Sequence, residues 1–447
     1  MKQLLITQVF VLLQLSAMAQ SDACFIYGTL TTKNGSNYTG SIRWNNEEAL
    51  WTDYFQAIKT VNKYHAFVGE GDILESLYSW LNMKHDAEEE RAYASTQKKV
   101  AVNSENDGEP KVISEAEMKM MLKEKADELG LKEEEIEKLE HVWVAHFGDI
   151  KSIKITGPET VTVSLKDGEQ VKLKNGSNDF NTDIKLLDEE LGEIVFQWDK
   201  IDQITFSPSP KILPIKFGKP LYATLKTTEG LYAGFVQWGY DKSLDTDKLI
   251  CNNTDGELAI EFKNIQRIEA SEHGHIVTLN SGRTLAVKKL ENDDPHEMGI
   301  NVWVDGFGKI YFPLEIIVSA EFENAGKNHL PSFYDFAPPK ALTGVVYTND
   351  NKSYSGIIAY DLDEEYDFEL IQGMNKGLYY SITLRNIKEI KPINDKTSSV
   401  GLRVGKTVLV GNSHDVAASN SGMLIFETGK NEPVYVKWGN VNRVVFH

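Results

Sequence analysis

The chain has 447 residues, with 66 acidic against 47 basic side chains and a formal net charge of −19. Hydrophobic residues at 41% and charged residues at 25% describe a folding chain rather than a disordered polyelectrolyte. Phosphate backbones and anionic membrane surfaces are bound by clustered Lys and Arg; no such stripe exists here, so nucleic acid is not an expected partner.

The opening stretch, MKQLLITQVFVLLQLSAMAQ, sets Lys2 before an apolar run from Leu4 to Leu15, then Ala17 and Ala19 before Gln20. This is the layout of a secretory signal peptide over residues 1–19. The run is short, and is broken by Thr7, Gln8 and Gln14, whereas a spanning helix needs about 20 apolar residues. The expectation is an exported protein that does not span a membrane: periplasmic, outer-membrane-associated or extracellular. The AMAQ ending resembles that of exported proteins of Gram-negative Bacteroidetes. The two cysteines, Cys24 and Cys251, do not make a stapled scaffold even where export permits a disulfide. The SDA before Cys24 lacks the Leu that a lipidation signal wants.

From residue 20 onward the chain repeats itself with a period of about 120 residues. IYGTLTTKNGSNYTGSIRW at Ile26 returns as LYATLKTTEGLYAGFVQW at Leu221 and as LTGVVYTNDNKSYSGIIAY at Leu342. Each copy alternates apolar and polar residues around an Asn- or Gly-bearing turn and closes on an aromatic residue (Trp44, Trp238, Tyr360), which is hairpin grammar. Nine residues later comes an acid in every copy: Asp53, Asp247, Glu369. The half-unit then ends HFGDIKSIKI, EFKNIQRIEA or TLRNIKEIKP. A second half-unit begins VTVSLKDGEQVKL, HIVTLNSGRTLAV or GLRVGKTVLVG and aligns Asp179, Asp294 and Asp415. It ends VFQWDKIDQITF, IYFPLEIIVSAEF or VYVKWGNVNRVVF. In the first ending the apolar period breaks after Trp198. That predicts a strand ending there, a tight turn over 199–202, and a final strand carrying Ile204 and Phe206 into the core.

These copies divide the chain into unit 1 (20–206), unit 2 (221–322) and unit 3 (342–447). Between them lie the proline-bearing connectors 207–220 and 323–341, expected as semi-rigid spacers. Within unit 1 the β grammar stops over about 61–143. There Ser114 and Glu117 form a capping box, and Met118, Met121, Leu122 and Leu129 lie at helical spacing. This predicted helical insertion holds 20 acids against 11 bases.

The recurring pattern of a glycine-bent hairpin followed by a closing Ile-x-x-Ile strand resembles the small SH3-like and Sm-like β-barrels. The resemblance implies a mainly β fold of three tandem units, each of two small antiparallel barrel half-units. It implies no ligand by itself.

Candidate sites are few. Trp44, Trp238, Trp198 and Trp438 recur across copies and read as core residues. Trp51, Trp80, Trp143 and Trp303 have no equivalents in the other copies and are the candidates for exposed binding contacts. The aligned Asp179, Asp294 and Asp415 read as Asx-turn residues closing their own loops. His273, His275, His296 and Glu297 cluster in sequence but lack zinc-ligand spacing; no metal and no cofactor is expected. No nucleophile elbow, P-loop or dinucleotide fingerprint appears. The reading is a non-enzymatic binding or scaffold protein of the cell envelope whose partner is a protein or an envelope glycan. An envelope hydrolase, directed at carbohydrate or peptide with its site between units, is the alternative.

Overall fold

The computed structural model describes residues 21–60, 63–64, 67–68, 142–290 and 299–447. The expected signal peptide, nearly all of the expected helical insertion, Trp80, Asp294, His296 and Glu297 lie outside those residues. The described chain is mainly β and its strand pairs are antiparallel. Among the described residues helix is limited to single 3-10 turns, and no helix is long and apolar enough to cross a membrane.

The first segment contains β1 (Tyr27–Thr32), β2 (Asn37–Trp44), β3 (Tyr54–Lys59), β4 (Val142–His146) and β5 (Ile150–Ile155). It continues with β6 (Thr160–Leu165), β7 (Gln170–Lys174), β8 (Ile184–Asp188), β9 (Gly192–Phe196) and β10 (Ile201–Phe206). Their order in the sheet is β4-β3-β7-β6-β5-β10-β1-β2-β8-β9. Two groups of five strands are therefore joined where β5 pairs with β10. One group, β10-β1-β2-β8-β9, draws its strands from both ends of the segment. The other, β4-β3-β7-β6-β5, is inserted between β2 and β8.

The second segment contains β11 (Tyr222–Thr227), β12 (Gly230–Trp238), β13 (Lys248–Asn252), β14 (Glu257–Glu261), β15 (Ile265–Ser271) and β16 (Gly274–Leu279). It continues with β17 (Thr284–Val287), β18 (Lys289–Leu290), β19 (Gly299–Val304), β20 (Gly308–Pro313) and β21 (Ile317–Phe322). The third contains β22 (Thr343–Thr348), β23 (Ser353–Tyr360), β24 (Leu370–Asn375), β25 (Leu378–Thr383) and β26 (Ile387–Asn394). It ends with β27 (Thr397–Leu402), β28 (Thr407–Gly411), β29 (Met423–Phe426), β30 (Val434–Val436) and β31 (Val441–Phe446). The pairing scheme repeats: β21 and β31 each join the first strand of their segment to its inserted group. Strands β12 and β23 pair with β19 and β29 as β2 does with β8.

This pairing corrects the half-unit boundaries read from the repeat. The hairpin β1–β2 belongs to the first sequence half, yet its edges are paired with β8 and β10 of the second. Both halves looked alike in sequence because each strand group closes in the same way. A 3-10 turn begins with a large apolar residue, and the next strand begins with Ile or Val, whose N–H donates back to the carbonyl of that first residue. The turns are Phe147–Asp149, Trp198–Lys200, Phe262–Asn264, Leu314–Ile316, Leu384–Asn386 and Trp438–Asn440. Trp198 is thus the first turn residue rather than the end of a strand, and β10 starts at Ile201, inside the span expected for the turn.

Glycine at the bend of the second strand has a steric cause. A Cβ on Gly40 would lie 1.9 Å from the Leu187 carbonyl oxygen. On the equivalent Gly234 and Gly356 it would lie 2.6 Å from Trp303 O and 2.2 Å from Phe426 O. Only glycine lets the neighbouring backbone pass that close.

The connectors are packed, not free. Leu213 donates its N–H to Asp22, and Lys216 pairs with the same carboxylate at 2.6 Å. Lys166 donates to the carbonyls of Phe333 and Phe336, and both rings join the core of the first segment. The cores of the second and third segments form one apolar cluster. Strand β20 also pairs with β25 across that seam.

The strands that flank the expected insertion pair with one another. Ile58 lies directly opposite Val142 in the β3–β4 pair, and closure entropy changes only slowly with the length of a flexible connection. Tyr64 and Val68 pack on the third segment and should be kept. Replacing residues 69–141 with a short Gly/Ser turn is expected to preserve a cooperative thermal transition by circular dichroism. Loss of soluble folded protein would show that the β framework depends on residues 69–141.

Candidate functional site

The acid that recurs after each hairpin first serves its own turn. Asp53 Oδ2 accepts from the N–H groups of Ala49 and Leu50, both at 2.9 Å. Asp247 Oδ2 does the same for Ser243 and Leu244, and Glu369 Oε2 for Glu365 and Tyr366. The second carboxylate oxygen then reaches a base of another segment. Asp53 meets Lys309 at 3.3 Å, Asp247 meets Arg43 at 2.7 Å, and Glu369 meets Lys59 at 2.8 Å. One motif therefore does two jobs, closing a loop and tying segments together. Burial alone would pull the Lys59 ammonium down, but Asp363 and Glu369 more than offset it and hold it well above the ordinary range. Burial raises Glu369 despite Lys59, so the lysine is the group held charged, between two carboxylates.

A second polar group lies where the three segments meet. His146 Nδ1 is 3.2 Å from Asp149 Oδ2, and Asp149 Oδ1 accepts from Arg385 of the third segment at 2.9 Å. Around the imidazole stand Tyr54, Trp303 and Phe336. His146 is 2% exposed, and its Nε2 has no hydrogen-bond partner. Burial holds its pKa below the usual value although Asp149 opposes this.

Of the aligned acids, Asp179 and Asp415 are cross-loop acceptors rather than residues closing their own turns. Asp179 Oδ2 accepts from Gln56 N–H on β3, and Asp415 Oδ2 from Gln372 N–H on β24. Their carbonyls receive the aromatic that ends the hairpin, through Trp44 Nε1 and Tyr360 Oη. Burial pushes the Asp179 carboxyl up to about 7 and the Asp415 carboxyl up to about 6. Glu48 is also raised, first by burial and then by Asp179. Asp179 Oδ1 and Glu48 Oε2 are both buried without a partner, which is the setting in which two carboxyls retain a proton.

The linkage sign follows. A carboxyl with a raised folded pKa adds stability that is complete below its unfolded value near 4 and is lost as pH rises through about 6 to 7. His146, lowered by burial, acts oppositely, so the informative quantity is a difference between variants. Asp179→Asn removes the proton-dependent part contributed by this carboxyl and is expected to melt above the wild type at pH 8, by a margin that shrinks steadily towards pH 4. Equal shifts at both pH values would rule out the buried proton.

Of the four tryptophans expected as exposed contacts, Trp51 and Trp143 are core residues instead, 0% and 1% exposed. Besides Phe206 and Phe55 of their own segment, they pack on partners beyond it: Trp51 against Phe333 of the second connector, Trp143 against Phe368 of the third segment. Trp303 is half-buried beside His146. His273 is exposed and His275 half-buried. Among the described residues no group of three or more His, Cys, Asp or Glu is placed to hold a metal ion.

Sequence reasoning missed a different surface. On the outer side of the seam between the second and third segments, Gln237, Asn301, Tyr311 and Tyr379 stand directly opposite one another across β12, β19, β20 and β25. Tyr240, 54% exposed, stacks on Tyr311 with centroids 6.0 Å apart and planes 7° from parallel. Alternation with buried Val236, Val302, Ile310 and Leu378 could have assigned each side chain outward. The pairing of β20 with β25 that aligns them had no local signal. No protein-family model matches the chain, and no curated protein does either.

Proposed function

We propose that this is an exported, non-enzymatic binding or scaffold protein of the cell envelope. The observation that carries the reading is the use made of the repeated acids. Each pairs with a base of another segment, so groups able to do acid–base chemistry are spent on holding three segments in one arrangement. What is left outward is a composite surface, suited to recognition. The leader-like residues 1–19 support export.

In fold terms, we read each strand group as an SH3-like barrel, the inserted group of the second segment being split, with β14-β13-β18 a separate sheet. The order β10-β1-β2-β8-β9, with a 3-10 turn between β9 and β10, has the strand succession of such barrels. The inserted group has the same succession in circularly permuted form, with its 3-10 turn between β4 and β5. Each unit is then one barrel nested inside another.

The hydrolase alternative has one observation in its favour, the Asp149–His146 pair with a partnerless Nε2 between segments. The two readings part in one experiment. The tagged full-length chain is expressed in its native cell, the cells are fractionated, and envelope components are co-purified after crosslinking. The expected result is an envelope fraction whose protein begins at Gln20 and carries a retained component. Cytoplasmic protein that keeps residues 1–19 would overturn the reading. Cleavage of envelope glycan or peptide by the wild type and not by His146→Gln would establish the hydrolase.

A further inference from the structure

We propose that the tyrosine row at the seam of the second and third segments binds a neutral oligosaccharide, with sugar rings on Tyr240 and Tyr379 and hydroxyls on Gln237 and Asn301. This names the ligand class for the binding role above and rests on that reading.

The argument comes from comparing one row in three copies. In the first segment the equivalent side chains across β2, β8 and β9 are Arg43, Lys185 and Val195, and Arg43 is committed to Asp247. In the third segment they are Ala359, Leu424 and Tyr435. That apolar version is covered by the chain itself, through Tyr64 and Val68. In the second segment the row is Gln237, Asn301 and Tyr311, extended by Tyr379 through the β20–β25 pair.

The chemistry of that row selects its occupant. An apolar segment like the one over the third copy would strip water from two amides without replacing their hydrogen bonds, which is costly. Gln237 Nε2 already donates to the Tyr240 carbonyl, and Asn301 Nδ2 lies 3.4 Å from Gln237 Oε1. The amides are thereby oriented beside the exposed Tyr240 ring. Tyr311 and Tyr379 stand 5.8 Å apart at 66°, so the row offers two differently inclined aromatic surfaces. A pyranose has apolar C–H faces and a rim of hydroxyls, which matches aromatic faces flanked by neutral donors and acceptors. The row itself carries no formal charge, and the chain's −19 disfavours polyanions. A neutral sugar chain fits both facts.

The test uses the full chain and calorimetric titration with two probes, an N-acetylglucosamine hexasaccharide and maltohexaose. Tyr240→Ala and Tyr379→Ala are compared with Tyr334→Ala, which removes another exposed ring (80% exposed) on the second connector. Thermal melts show that each variant is folded. One probe should bind the wild type, weaken about tenfold or more in the two row variants, and be unaffected by Tyr334→Ala. Failure of both probes to bind, or equal binding by Tyr240→Ala and Tyr379→Ala, overturns the proposal. The envelope co-purification repeated with Tyr240→Ala separates the two readings. A retained envelope component without oligosaccharide binding leaves the scaffold role standing and removes the glycan.

Discussion

Replacing Asp53 by alanine is expected to lower stability by about 3–5 kcal/mol, the range for removing one partner of a buried ion pair. Asp53 is 3% exposed and Lys309 8%. The substitution strands three donors together: the N–H groups of Ala49 and Leu50 and the Lys309 ammonium. Each buried donor left without an acceptor costs about 1–3 kcal/mol. Lys309 still has the Tyr54 ring 4.5 Å away, which recovers only part of the loss. Asp53→Asn retains an oxygen for the turn but presents an amide rather than a charge to Lys309, and should fall between wild type and alanine. Adding Lys309→Met to Asp53→Asn should regain stability, since no buried charge then lacks its counterion. Asp199→Ala, which removes an exposed pair with Lys200, is the reference and should change little. Urea midpoints measure all four; an Asp53→Ala midpoint equal to that of wild type would end this account of the segment tie.

The second large effect is at the opposite end of the chain. Phe446→Ala should cost about 3–5 kcal/mol, although residues this close to a terminus usually tolerate change. Phe446 is 3% exposed, stands opposite Gly344 in the β22–β31 pair, and lies 6.2 Å from the Tyr360 ring. Its strand also joins the two five-strand groups of the third segment through β26. The residue therefore closes a core that the second and third segments share. Phe446→Leu keeps much of the volume and should retain more than half of that stability. A thermal midpoint for Phe446→Ala within a degree or so of wild type would mean that the closing strand is not part of that core.

Several features were legible because their causes are local. Alternation around Asn- and Gly-bearing turns marked β1–β2, β11–β12 and β22–β23, each of which is a paired hairpin. The recurrence of Trp44, Trp238, Trp198 and Trp438 marked them as core, and all four are buried. The closing signature also carried its meaning in a few residues. A large apolar residue, a one-turn 3-10 helix and a β-branched residue suffice to specify it. Glycine at 40, 234 and 356 recorded, without naming it, a carbonyl that passes too close for any side chain.

The sequence by itself thus determined a mainly β chain with a threefold repeat, its hairpins and the residues that close them. Those choices depend on energies within a few neighbouring residues, namely side-chain period, turn preference and Cβ sterics. The tertiary structure alone decided which hairpin edge pairs with which, and so interleaved the two halves of every segment. It decided that Trp51 and Trp143 are buried by partners far along the chain, and that Asp53, Asp247 and Glu369 each find a base in another segment. It also aligned Tyr311 with Tyr379 across a seam. Non-local pairing is set by loop closure and by complementarity between surfaces distant in sequence, and no window of neighbouring residues carries either quantity.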